Sequence, residues 1–330
     1  MITAPHGVTA TGWVVIARSV SVGADTLRSM SAPVPVSLAD DPADVPVRRS
    51  RPALSPSRAS DFKQCPLKYR LRAIDRIPEP PSRAAVRGTV VHAVLEDLFG
   101  LPAEQRHPEQ ATALVPAAWE RVRAGREGLD ELVAEGGPEK LFAEVRRLVE
   151  GYYELEDPRR FEPESLEERV EVDLDGDVPL RGFVDRIDVA PSGLLRVVDY
   201  KTGRSPGPLH EARALFQLKF YALVILRTRG IVPAQLRLIY LADKILLTYT
   251  PEHDELDRFA RILTALWQAI LEAGRTGDFP AQRNALCKFC DFKPLCPEFG
   301  GTPPPYPGWP QQDSIPVELG VPEVRPAEDV

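Results

Sequence analysis

Two stretches of this chain place acids and a base at spacings that suit metal-assisted chemistry. Arg181-Gly182-Phe183-Val184-Asp185-Arg186-Ile187-Asp188 is followed by Val197-Val198-Asp199-Tyr200-Lys201-Thr202-Gly203. Residues 180–189 and 194–200 read as strands, rich in branched apolar side chains and joined at Pro191-Ser192-Gly193. If those three residues form the loop, Ala190 pairs with Leu194, and the same register sets Asp185 opposite Asp199. Directly opposed side chains have Cβ atoms about 5 Å apart, so two carboxylates there repel unless a cation lies between them. Lys201 sits two residues beyond Asp199 and points to the same face. Oxygen ligands of this kind hold Mg2+ or Mn2+, which polarise a phosphate and acidify a bound water. A lysine beside them orients that water or stabilises the developing charge. The plain alternative is a solvated hairpin with a surface salt bridge. The apolar Val184, Ile187, Val197 and Val198 argue for burial instead, and a buried acid without a partner is costly.

Two helical spacings offer further groups. Gly88, His92 and Glu96 are four apart and share one helical face. His92 facing the acids could supply a nitrogen ligand, and Gly88 would permit a close backbone approach. A histidine packed in a helix interface is the competing reading, and Glu96 could be a ligand, an orienting group or a surface charge. Gln217 and Tyr221 are also four apart and could hydrogen-bond the lysine, a phosphate or a base.

The chain has four cysteines. Cys287, Cys290 and Cys296 form CxxCxxxxxC, and Cys65 stands far upstream in Gln64-Cys65-Pro66. Thiolates three residues apart bind one metal centre readily, and Cys65 as the fourth ligand uses every cysteine in the chain. Spacing alone does not separate zinc from an iron–sulfur cluster. A disulfide framework is not expected without a signal peptide.

These groups need a scaffold, and the pattern supplies one. A helix capped by Ser57 should run through Phe62 and Tyr69, and a second should cover 84–99. Residues 108–126 and 138–156 read as two more, separated by Gly136-Gly137-Pro138. Strands follow at 168–174, 180–189 and 194–200, then a helix at 209–229, strands near 235–241 and 244–250, and a helix at 253–274. That order predicts an α/β fold, a mixed central sheet flanked by helices. Residues 1–54 lack sustained periodicity and read as a disordered extension, with Met30 an alternative start to Met1. From Gly300 onward, Pro303, Pro304, Pro305, Pro307 and Pro310 predict an extended tail over 300–330.

The apolar runs are too short to span a bilayer or to form a signal-peptide core, so a cytoplasmic protein without a membrane partner is expected. The net charge of −7 argues at first against a nucleic-acid partner. Residues 101–182, however, carry −10 alone, while 55–100 and 183–300 carry +3 each. Phosphate contacts respond to local charge, so DNA remains compatible with the acidic total.

Taken together the motifs resemble the RecB-like branch of PD-(D/E)XK nucleases. These include nuclease domains of bacterial helicase–nuclease complexes and CRISPR-associated exonucleases. The resemblance covers about 55–299. It runs through Ser57-x-x-x-Phe-x-x-Cys65-Pro-x-x-Tyr69, Gly88-x-x-x-His92, Gly182-x-x-Asp185-Arg-Ile-Asp188, Asp199-Tyr-Lys201-Thr-Gly203, Gln217-x-x-x-Tyr221 and the last three cysteines. It implies a restriction-endonuclease-like fold whose N- and C-terminal segments are joined by a metal-cluster staple. It implies His92, Asp185, Asp199 and the Tyr200 carbonyl as ligands of Mg2+ or Mn2+, Lys201 as the catalytic lysine, and Gln217 and Tyr221 as groups that assist the site and contact DNA. The cysteines match members that hold a four-iron–four-sulfur cluster, which favours that cofactor over zinc. The implied activity is a deoxyribonuclease, in the first instance an exonuclease of DNA repair or recombination, with a helicase or a CRISPR protein as a partner. The alternatives are a non-catalytic DNA-end-binding module, a helicase-partner subunit with a structural cluster, or a zinc-stapled regulatory protein. No GxxxxGK loop followed by Ser or Thr is present, so the chain carries no recognisable helicase motor.

Overall fold

The computed structural model describes residues 52–125, 128–134, 136–205 and 211–310. Most of the expected N-terminal extension, including Met1 and Met30, lies outside the described residues. Its inner end does not behave as an extension: Ala53 and Leu54 are buried, and Leu54 forms a parallel bridge to Leu180.

Helices come first in the chain. They are α1 (Pro56–Gln64), α2 (Pro66–Tyr69), α3 (Arg83–Phe99), α4 (Pro108–Ala113), α5 (Val115–Ala124), α6 (Leu129–Ala134) and α7 (Gly137–Tyr152). The cap of α1 is Ser55, whose side chain accepts from the Arg58 amide at 3.2 Å; Ser57 lies inside the helix. The expected continuous helix through Tyr69 breaks at Cys65, whose backbone is extended because a proline follows it. A π-turn at Arg70–Ile74 continues α2. The single helix expected over 108–126 divides at Leu114, next to Pro116.

Five strands form one mixed sheet in the order β1 (Pro163–Leu174), β2 (Val178–Val189), β3 (Leu195–Lys201), β4 (Gln235–Tyr240) and β5 (Ile245–Tyr249). β1, β2 and β3 are antiparallel neighbours, β3 and β4 run parallel, and β4 and β5 are antiparallel. A parallel pair needs a crossover, and α8 (Glu211–Arg229) supplies it. The last long helix is α9 (His253–Thr276).

The sheet is covered on both faces, as α/β packing requires. Val197, Leu236 and Leu238 meet Leu218, Leu223, Leu263 and Trp267 of α8 and α9. Their strand neighbours Val198, Tyr200 and Ile239 meet Val90, Val94, Trp119 and Leu148 of α3, α5 and α7. Each such fully buried apolar side chain contributes about 1.5–3 kcal/mol. The proline-rich segment beyond Gly300 is not a loose tail as far as residue 310. Tyr306 donates to the Gly274 carbonyl at 2.7 Å, and Trp309 packs edge-on against Trp267 of α9. Among the described residues, no helix is long and apolar enough to cross a membrane.

Candidate active site

The β2–β3 hairpin takes the register that the three-residue loop dictates. Ala190 donates to the Leu194 carbonyl at 2.9 Å, Gly193 turns the chain at φ 83°, and Arg186 pairs with Val198. One step further along that register brings Asp185 level with Asp199. Both acids are buried, at 2% and 0% exposure, so neither is a solvated surface charge.

Each acid has its own set of partners. Asp185 accepts the Tyr200 amide at 2.7 Å through Oδ2, and the same oxygen lies 3.5 Å from His92 Nδ1. Asp199 Oδ2 lies 3.1 Å from Lys201 Nζ. Lys201 donates to Gln217 Oε1 at 2.7 Å, and the Gln217 amide nitrogen donates to Asp199 Oδ1 at 2.9 Å. Tyr221 closes the set with its hydroxyl 3.2 Å from that nitrogen. The one-turn spacing of Gln217 and Tyr221 therefore points both at the lysine strand. Tyr200 contributes through its backbone: its carbonyl is 3.2 Å from His92 Nε2, while its ring lies on the other face of the sheet.

Two glycines explain their places in these motifs. A Cβ on Gly182 would sit 2.9 Å from the Tyr221 ring, and one on Gly88 would sit 3.3 Å from Thr202 Oγ1. Gly182 lets Tyr221 lie against β2, and Gly88 lets α3 approach the end of β3 and deliver His92.

One residue at the site was not singled out from the sequence. Glu167, in β1, has its carboxylate 3.4 Å from His92 Nδ1, and His92, Glu167 and Asp185 bring one donor atom each within 4.8 Å of one another. Its φ is 42°, a left-handed value unusual for a non-glycine residue inside a strand. A period-two pattern cannot register a residue that breaks the period. Glu96 stands nearby: partial burial, then the Glu167 carboxylate, pushes its carboxyl above the usual range.

Behind the site lies a second feature the motifs did not announce. Arg186 is fully buried between the Phe161 and Tyr200 rings and pairs with Glu156 at 2.8 Å and with Asp188 at 3.0 Å. Arg196 holds Asp188 at 2.7 Å, and Arg237 holds Glu156 at 2.6 Å. Burial would raise the Glu156 carboxyl, but Arg186, Arg196 and Arg237 outweigh it and hold the group below the ordinary value. The network braces β2 and β3 from the face opposite Lys201.

The four cysteines meet at one end of the molecule. Cys65, Cys287, Cys290 and Cys296 line a single cavity with Gln64, Lys68, Asn284 and Lys293, and none is in a disulfide. Backbone amides donate to two of the sulfurs, Gln282 to Cys65 (3.4 Å) and Asn284 to Cys287 (3.3 Å). Leu67, Leu71 and Phe292 form a small apolar floor beneath them. Four cysteines sharing one cavity are a donor set for a thiophilic centre.

The chain is similar to known proteins over most of its length. Gene 69 proteins of Mycobacterium phages D29 and L5 are each 26% identical, over 274 and 289 residues, which cover 75% of this chain and 97% of either relative. A crystal structure of a candidate exonuclease from Eubacterium rectale aligns with a TM-score of 0.47 at 10% identity, over 72% of this chain and 86% of that one. The profile of the PD-(D/E)XK nuclease superfamily matches residues 53–297, a span that opens beside the buried Leu54 and closes just past Cys296. On that match, which takes in the hairpin, both supporting helices and every cysteine, the chain belongs to the PD-(D/E)XK nuclease superfamily.

Proposed function

We propose that this protein is an Mg2+- or Mn2+-dependent deoxyribonuclease of the RecB-like branch, acting as an exonuclease in DNA repair or recombination. The observation that carries this reading is the linkage of Lys201, Asp199 and Gln217 beside Asp185 and His92. Nitrogen and carboxylate donors suit a divalent ion, the cofactor that PD-(D/E)XK nucleases generally use. His92, Asp185 and Asp199, with the Tyr200 carbonyl, would hold it. Bound there, such an ion polarises a phosphate oxygen and acidifies a water. The chain's own groups do the rest. Lys201 offers a positive charge and a donor to phosphate oxygens or to the attacking water. Gln217 fixes that ammonium through its oxygen and Asp199 through its nitrogen, and Tyr221 sets the orientation of the Gln217 amide.

A four-iron–four-sulfur cluster at Cys65, Cys287, Cys290 and Cys296 belongs to the same reading. That all four cysteines line one cavity, with none in a disulfide, supports a single shared centre there. Iron and sulfide analysis of anaerobically purified protein tests this, and stoichiometric zinc would replace it. A helicase, or another repair or CRISPR protein, belongs to the same reading as a partner.

The decisive assay uses single- and double-stranded DNA with either end blocked, with and without Mg2+ or Mn2+. Cleavage should need the ion, start from a free end, and collapse in Asp185→Asn and Lys201→Ala while thermal unfolding shows both variants folded. Cleavage without any divalent ion, or full activity of Lys201→Ala, would refute the mechanism. Salt-sensitive binding without cleavage by the wild type would favour the end-binding module instead.

A further inference from the structure

We infer that Glu167 is an additional protein donor to the divalent ion at His92 and Asp185. The inference rests on the nuclease reading and adds to it a ligand from β1, a strand that none of the recognised motifs includes.

Three observations carry it. First, Glu167 Oε1 and Asp185 Oδ2 approach the same imidazole nitrogen of His92, at 3.4 and 3.5 Å. Two carboxylates converging on one nitrogen make a compact oxygen–oxygen–nitrogen set, and the three donor atoms lie within 4.8 Å of one another. A divalent ion held between them would offset the charge of two carboxylates brought this close together.

Second, Glu167 has a different kind of partner from the acids around it. Glu164 and Glu168 pair with Arg229, and Glu171 pairs with Arg181. Those are ordinary surface ion pairs. Glu167 faces a metal-ligating type of side chain and a second acid.

Third, the backbone departs from the strand to place it there. Leu166 still pairs with Arg186, and Glu168 still pairs with Val184, yet Glu167 between them has φ 42°. Leu166 packs into the α3–α7 layer, while Glu168 reaches Arg229 on α8. Residues two apart in a regular strand face the same side, so the alternation breaks at Glu167. Left-handed non-glycine residues inside regular elements concentrate at ligand clamps and active sites.

The test is Mn2+ binding to the full chain without DNA, by calorimetry and by the rise in Tm on adding Mn2+. Glu167→Asn removes the carboxylate, and asparagine tolerates positive φ, so its metal-free Tm should match or exceed wild type. Its Mn2+ affinity should fall about tenfold or more, since loss of even an outer partner of a metal ligand costs about 10–100-fold. Glu167→Gln is the second variant: it keeps length and shape and should show the same loss. Wild-type Mn2+ affinity in both variants overturns the inference. So does a lower metal-free Tm with an unchanged Mn2+-induced shift, the signature of a purely structural contact to His92. If the wild type itself binds no Mn2+, the nuclease reading falls with it; if the wild type binds and cleaves while both variants bind equally, only the role of Glu167 is lost.

Discussion

Gln217→Met isolates the part of the site that a binding surface alone would not need. Methionine keeps the length and approximate volume of glutamine, so the pocket on α8 stays filled. It deletes two hydrogen bonds to charged groups, the one from Lys201 at 2.7 Å and the one to Asp199 at 2.9 Å. Each such bond contributes about 1.5–3 kcal/mol net. If only the bond that fixes the ammonium is lost in the transition state, the rate falls by about 10- to 150-fold, at about 1.4 kcal/mol per decade. The other bond shows up as lost stability, because Asp199 is fully buried and keeps Lys201 as a partner. Single-turnover cleavage at saturating DNA and Mg2+ reads the first quantity, and thermal unfolding reads the second. Tyr221→Phe is the internal control. It removes one neutral hydrogen bond of 3.2 Å to the same amide, worth about 0.5–1.5 kcal/mol, so its rate should fall by no more than about tenfold. A folded Gln217→Met protein that cleaves within twofold of wild type would refute the positioning argument. So would a Tyr221→Phe protein slower than Gln217→Met.

Glu156→Gln should lower stability by about 3–5 kcal/mol, because it leaves the buried Arg186 and the half-buried Arg237 guanidiniums without their shared carboxylate. At about 2–4 °C per kcal/mol that is a Tm lower by about 6–20 °C in scanning calorimetry. The Glu156 carboxyl is held below its ordinary value of 4.5, so its contribution is complete above that pH and is lost as pH falls through the lowered folded value. The Tm gap between wild type and variant should therefore close on acidification below pH 4.5; a gap that widens there would reverse the sign of the argument. Gly274→Ala should cost about 1–3 kcal/mol, because a Cβ there would enter the Trp309 indole, and limited proteolysis should then cut within 301–310. Unchanged stability and protection would mean that the tryptophan does not pack on α9 in solution. Cys65→Ala should abolish visible absorbance and expose both ends of the body to protease, since the proposed staple would close a long loop worth about 5 kcal/mol. A colourless variant with wild-type melting and cleavage would sink the staple.

The parts of this fold that are legible in the sequence obey a period or a local turn rule. The loop at Pro191-Ser192-Gly193 sets the hairpin register, so the alignment of Asp185 with Asp199 follows from the order of residues alone. The four-residue spacings of Gly88 with His92 and of Gln217 with Tyr221 carry through because helices preserve a face. Elsewhere a neighbour overrides the pattern. Pro66 and Pro116 each break a helix that amphipathic spacing continues through. Ser55 rather than Ser57 caps α1, a two-residue difference that helix-start preferences do not resolve. Glu167 escapes because its left-handed backbone removes it from the alternation that identifies β1. The composition beyond Gly300 reads as a tail, yet Tyr306 and Trp309 are anchors whose partners on α9, Gly274 and Trp267, lie far back in the chain. Arg186 and its partners are scattered from 156 to 237, and only the sheet brings them together.

The Cys65 segment also sets a timetable for synthesis. Asn284 caps the turn that carries Cys287 and at the same time donates to the Gln64 carbonyl at 3.1 Å, so the first and last parts of the folded body depend on each other. Ribosomes add about 5–20 residues per second, and Cys296 lies 231 positions after Cys65. For roughly 10–45 seconds after Cys65 is made, its thiol and the apolar side chains of Leu67 and Leu71 wait without the segment that covers them. Trp309 must emerge later still. A nascent chain halted just before Asn284 would present a finished sheet, with Asp185, Asp199 and Lys201 already in place, but an open end around Leu67 and Leu71. That exposed end is the kind of surface chaperones and proteases recognise, so incomplete copies of the proposed nuclease would be marked for removal by the architecture itself.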